Sequence, residues 1–201
     1  MCYLTAAMRW PVFCLFVFLA LVFQLGLRTL LRDPFGIDAG EPQFLLILGV
    51  FIGLSAPGKV TPWAWLILGA LVDLANPVPV RLAMRETQTT LLGPACLGYL
   101  LGGYAVWQLR PLVVRDSPLA VAFVAFCAGM LVQLAIVATL SVRGLPWPWL
   151  AEEQIASFRA ADELVRRFLE LIYTTLFAIP LGALLIRLRP MWGFPTAKGG
   201  R

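Results

Sequence analysis

Six apolar runs divide the chain, and they decide what it can fold into. They cover about residues 10–27, 42–56, 62–75, 91–109, 118–142 and 168–188. Long runs with almost no charge belong to membrane spans and not to one soluble core. A water-facing surface also needs about 25% charged residues, and only 13% of this chain is Asp, Glu, Lys or Arg. The reading is an all-α integral membrane protein with six transmembrane helices, forming a single membrane domain over 1–201. The second and third runs are short against the about 20 residues that a bilayer demands. Pro57-Gly58 breaks the chain between them, so they can pack as a tight hairpin.

The tryptophans fit these boundaries. Trp10, Trp63, Trp65, Trp107, Trp147, Trp149 and Trp192 all lie at or near a run's end. An apolar ring with an N–H that wants a partner prefers the headgroup layer. Charge decides orientation less sharply. With the N-terminus inside, eight basic residues fall on each side. The tail, with Arg187, Arg189, Lys198 and Arg201, tips the balance toward two cytoplasmic termini. In such a protein the net charge of +5 reports topology and contact with anionic membrane lipid, and no nucleic-acid partner is expected. Residues 151–167 are polar and, with Phe168, amphipathic, with Ile155, Phe158, Val165 and Phe168 on one face. They are read as a helix lying on the headgroups or docking a partner.

Groups able to carry chemistry are few. The chain has no histidine, which removes the commonest general base and a common metal ligand. Cys2, Cys14, Cys96 and Cys127 form no CxxC pair and read as small hydrophobes. No P-loop, HExxH or GxSxG occurs. No catalytic residue, metal site or cofactor is expected, and the chain is not read as an enzyme. Asp73 stands as the one acidic residue well inside an apolar run. It is either an intramembrane anchor or binding group, or a carboxylate reaching the interface. Gln24, Gln108 and Gln133 are the other polar span residues, of a kind that ties helices together. Gly49/Gly53 and Gly98/Gly102 give two GxxxG spacings, which allow helix backbones to approach closely, within this chain or against a partner.

One stretch resembles a known family. Gly69-Ala70-Leu71-Val72-Asp73-Leu74, then Leu92-Gly93, then Gly98-Tyr99-Leu100-Leu101-Gly102, then Leu109-Arg110 are similar to the pattern of the rod shape-determining protein MreD. Residues 76–90, with Pro79 to Thr90, look like an insertion in that pattern, and the segment 143–167 is a second departure. The resemblance implies a fold like that of the S-components of energy-coupling-factor transporters. It implies a non-catalytic scaffold of the bacterial cell-elongation machinery, in the inner membrane. The implied partner is an MreC-like protein, together with MreB, RodA and the transpeptidase partner of RodA. Asp73, Gly69, Gly93, Gly98 and Gly102 are then structural or partner-contact residues. The competing expectation is a small-molecule binding or transport protein of S-component type, with Asp73 as its candidate site.

Overall fold

The computed structural model describes residues 8–32, 42–76, 78–82, 85–90, 92–113, 117–143, 153–155 and 160–193. Its body is six helices: α1 (Trp10–Arg32), α2 (Phe44–Ser55), α3 (Thr61–Ala75), α4 (Pro94–Leu109), α5 (Pro118–Arg143) and α6 (Ala160–Arg187). A short 3-10 turn, Arg189–Trp192, follows α6. Three stretches are long and apolar enough to cross a membrane: Trp10–Leu27, Pro118–Val142 and Glu163–Arg187. They mark this chain as a membrane protein. The helices α2, α3 and α4 have 12, 15 and 16 residues. At ~1.5 Å per residue they reach about 18 to 24 Å, short of the ~30 Å apolar layer.

The core is organised around α2. Every residue from Phe44 to Ser55 is buried, and the helix packs against α1, α3, α4, α5 and α6. Its sequence, FLLILGVFIGLS, is apolar on all sides, which suits a helix with no solvent face. α1 lies against it through an inner stripe of Phe13, Val17 and Gln24, while Leu15, Phe18 and Val22 point outward. The two ends of the bundle differ. At one end Arg9 N–H donates to the Trp192 carbonyl at 3.5 Å, so α1 begins beside the close of α6. At the other end a small sheet joins α3 to α4.

That sheet is built from residues 78–89, within the expected insertion. β1 (Val78–Leu82) pairs antiparallel with β2 (Arg85–Thr89), from Val78↔Thr89 to Leu82↔Arg85. β3 (Glu153–Ile155) adds to the other side of β1 over Val80 to Leu82, giving the order β2-β1-β3. Pro79, which has no N–H to give, lies where β1 pairs with β2 alone. The stretch 151–167 is therefore divided. Part of it is a strand, and α6 starts at Ala160 and carries Glu163, Arg166 and Arg167 in its first turns. The structure places Val165 and Phe168 on the exposed side, and Phe158 lies outside the described residues.

The tryptophans split into two groups. Trp10, Trp63 and Trp107 are exposed near helix ends, in keeping with the headgroup role. Trp65 and Trp192 are fully buried, and Trp147 and Trp149 lie outside the described residues. Trp65 fills space that glycines leave. A side-chain carbon on Gly103 would sit 2.6 Å from its ring, and one on Gly49 would sit 3.4 Å from it. One on Gly53 would stand 3.3 Å from its Nε1. The Trp65 ring thus wedges between α2 and α4, with Tyr99 at 5.7 Å between ring centroids. Cys14, expected to be buried, is on the outer face of α1, and Cys96 and Cys127 are half-buried.

Trp65 fills the slot that Gly49, Gly53 and Gly103 leave, so its removal opens a cavity between α2 and α4. Trp65→Ala is expected to cost about 3–5 kcal/mol of stability, read as a lower unfolding midpoint in detergent. An unchanged midpoint would remove Trp65 from the core of this account.

Candidate functional site

Asp73 sits in the last turn of α3 and is 6% exposed. Its carboxylate reaches the head of α4. Oδ2 accepts from Gly93 N–H at 2.8 Å and Cys96 N–H at 3.2 Å, and Oδ1 accepts from Ala95 N–H at 2.9 Å. Pro94 between them has no N–H. The first N–H groups of a helix have no partner inside it, and they carry the positive end of its dipole. A residue at the N-cap usually supplies the acceptor. Here the N-cap is Gly93, at φ 138°, with no side chain to give. A side chain from the neighbouring helix does the work instead.

Gly69 makes that reach possible. It lies one turn before Asp73 on the same face of α3. A side-chain carbon there would be 2.8 Å from Cys96 Cα and 2.9 Å from the Ala95 carbonyl oxygen. Any other residue would push the head of α4 away from the carboxylate. The other side of α4 is held by α5. A carbon on Gly98 would meet the Val132 carbonyl oxygen at 2.9 Å, and one on Gly102 would meet Val132 Cγ2 at 2.6 Å. Gly69, Asp73, Gly93, Gly98 and Gly102 are thus gathered at one three-helix junction, α3–α4–α5. Both GxxxG pairs lie against helices of this same chain.

Two further helix ends are held from a distance. Arg110, just after α4, donates from Nη1 to the Ala56 carbonyl at 2.7 Å, at the close of α2. A cation there suits the negative end of the helix. At the start of α2, Gln43 N–H donates to Thr174 Oγ1 at 2.9 Å, and the Thr174 hydroxyl donates to the Glu170 carbonyl at 2.7 Å. Of the polar span residues, Gln133 accepts from Arg167 Nη1 at 2.9 Å and links α5 to α6. Gln108 is exposed and donates to Tyr104 of its own helix at 2.8 Å, so it ties no helices together.

Sequence reasoning missed Glu170. It lies inside the sixth run and is buried, so Asp73 is not the one acidic residue there. The signal was the polar pair Glu170 and Thr174, one turn apart within the sixth apolar run. Thr174 and Gln43 were also passed over. Among the described residues no cluster of His, Cys, Asp or Glu could hold a metal ion. With three N–H donors on its two oxygens, Asp73 is engaged in fixing a helix end. The chain matches no family model, no curated protein and no solved structure.

Two substitutions separate the carboxylate's hydrogen bonds from its charge. Asp73→Asn keeps one acceptor oxygen and is expected to cost about 1–2 kcal/mol. Asp73→Leu strands three donors, one of them fully buried, and is expected to cost roughly 3 kcal/mol. Unfolding titrations in one detergent compare them. Equal stability of wild type and Asp73→Leu would show that the cap contributes nothing.

Proposed function

We propose that this protein is a non-catalytic scaffold of MreD type in the bacterial cell-elongation machinery. It crosses the inner membrane six times with both termini in the cytoplasm, and it binds an MreC-like partner. The observation that carries the reading is the junction around Asp73. The residues that resemble MreD are scattered over some forty positions. In the fold they form one connected unit: Gly69 admits α4, Asp73 caps it, Gly98 and Gly102 seat it on α5, and Arg110 closes α2. A pattern whose every element holds helices together fits a protein that works as a rigid platform. The bond between Arg9 and Trp192 supports an even number of crossings, because it sets the first and last helices' outer ends side by side.

The competing reading of Asp73 as a ligand or proton site loses its motivation, since the carboxylate is occupied by backbone. The test is co-purification of the tagged protein with the MreC-like protein of the same genome. Wild type should recover the partner, Asp73→Asn should recover part of it, and Asp73→Leu little. A folded wild type that brings down no partner contradicts the scaffold reading. A reporter fused after Arg201 that reads periplasmic contradicts the topology.

A further inference from the structure

The outer face of α4 is apolar until its last turns. Leu97, Leu101 and Tyr104 follow one another at helical spacing, and each is more than half exposed. On a membrane helix such a stripe faces acyl chains. Polar groups then appear on the same face. Gln108, one turn beyond Tyr104, is exposed too, and its amide donates to the Tyr104 hydroxyl at 2.8 Å. Trp107 stands beside them, half exposed, with its ring centre 6.2 Å from that of Tyr104. The stripe ends at a surface cavity of about 290 Å³, lined by Trp107, Gln108, Arg110 and Pro111.

The turn between α2 and α3 comes to the same place. A side-chain carbon on Gly58 would stand 3.5 Å from Trp107 Nε1. Lys59, the next residue, is exposed. Arg110 brings a second cation. Its bond to the Ala56 carbonyl, 2.7 Å from Nη1, fixes the guanidinium at the cavity wall and leaves its charge in place. This whole end of the bundle, where α1 also begins, is basic. Among the described residues its charged groups are Arg9, Lys59, Arg110, Arg187 and Arg189. Arg115 and Asp116, between α4 and α5 in the sequence, add one charge of each sign. At the opposite end Arg166 and Arg167 face Glu163 and Glu170.

We propose that this cavity binds the phosphate of an anionic phospholipid, with one acyl chain lying along Leu101 and Leu97. The space is at the small end of ligand pockets, enough for a headgroup and not for a whole lipid. The chain therefore lies outside the cavity, on a face that adjoins the apolar layer. An ammonium, a guanidinium, an indole N–H and an amide are all donors, and phosphate oxygens accept from each of them. A zwitterionic headgroup would bring a cation of its own against Lys59 and Arg110. Basic pockets between membrane helices hold anionic headgroups on this principle, and exposed Tyr and Trp suit the interfacial depth. The proposal needs only that the chain crosses a membrane. Partner recovery and lipid binding are separate readouts, so either can fail alone.

The test follows thermal unfolding of the full chain in dodecyl maltoside micelles, titrated with dioleoyl phosphatidylglycerol, dioleoyl phosphatidylcholine or inorganic phosphate. Phosphatidylglycerol should raise the midpoint in a saturable way, and the other two should not. Lys59→Gln and Gln108→Leu change exposed side chains, so the fold should persist. Each should weaken the apparent Kd for phosphatidylglycerol roughly fivefold. Arg187→Gln removes an exposed cation at the same end but on α6, and should leave that Kd unchanged. No rise with phosphatidylglycerol overturns the proposal, and so does an equal rise with phosphatidylcholine. An equal rise with inorganic phosphate overturns it in favour of a free anion. A rise that Lys59→Gln and Gln108→Leu both retain unchanged places the lipid elsewhere and overturns it. A loss in Arg187→Gln as large as in Lys59→Gln also overturns it, because net charge alone then attracts the lipid.

Discussion

The ends of short helices govern this structure. A bilayer offers no water to the N–H groups that open a helix or to the carbonyls that close it. Long helices such as α1, α5 and α6 can carry their ends out to the headgroups. α2, α3 and α4 are too short for that over the full layer. Three of their ends are satisfied from other helices. Asp73 of α3 serves the head of α4, Arg110 beyond α4 serves the tail of α2, and Thr174 of α6 serves the head of α2. Each cap therefore also fixes the position of one helix against another. The dependence runs in sequence, from α3 to α4, from α4 to α2, and from α2 to α6.

Such caps need backbones within a few ångströms of one another, and the glycines supply that closeness. Gly69 brings α4 under the carboxylate, and Gly98 and Gly102 hold it there from the α5 side. In lipid, helices gain little from hiding apolar surface, so close packing and interhelical hydrogen bonds carry the association. Trp65 shows the same economy in reverse. Glycines of two helices leave a slot, and one large ring occupies it.

Much of this body was legible in the hydropathy. The runs at 42–56, 62–75 and 118–142 fall within two residues of α2, α3 and α5. The sixth run starts eight residues late, at 168 against Ala160. The reason is local charge: Glu163, Arg166, Arg167 and Glu170 pair along one face, so the segment read as a separate amphipathic helix runs on, from Ala160, into the apolar run as one helix. Trp65 looked like an interface residue because position near a run's end says nothing about which face a side chain takes. Asp73 was conspicuous, but its partners were not. A carboxylate that caps a helix some twenty residues away leaves no period in the sequence. The strand pair Val78–Leu82 and Arg85–Thr89 was hidden for a related reason, since two five-residue strands depend on each other and on Glu153–Ile155.

Amide hydrogen exchange at single residues in nanodiscs tests the central claim most directly. The opening N–H groups of an uncapped helix exchange quickly, since they have no partner. The account predicts slow exchange at Gly93, Ala95 and Cys96, at the head of α4, comparable with the middle of that helix. Fast exchange at those three amides, in a protein whose helix interiors remain protected, would contradict it.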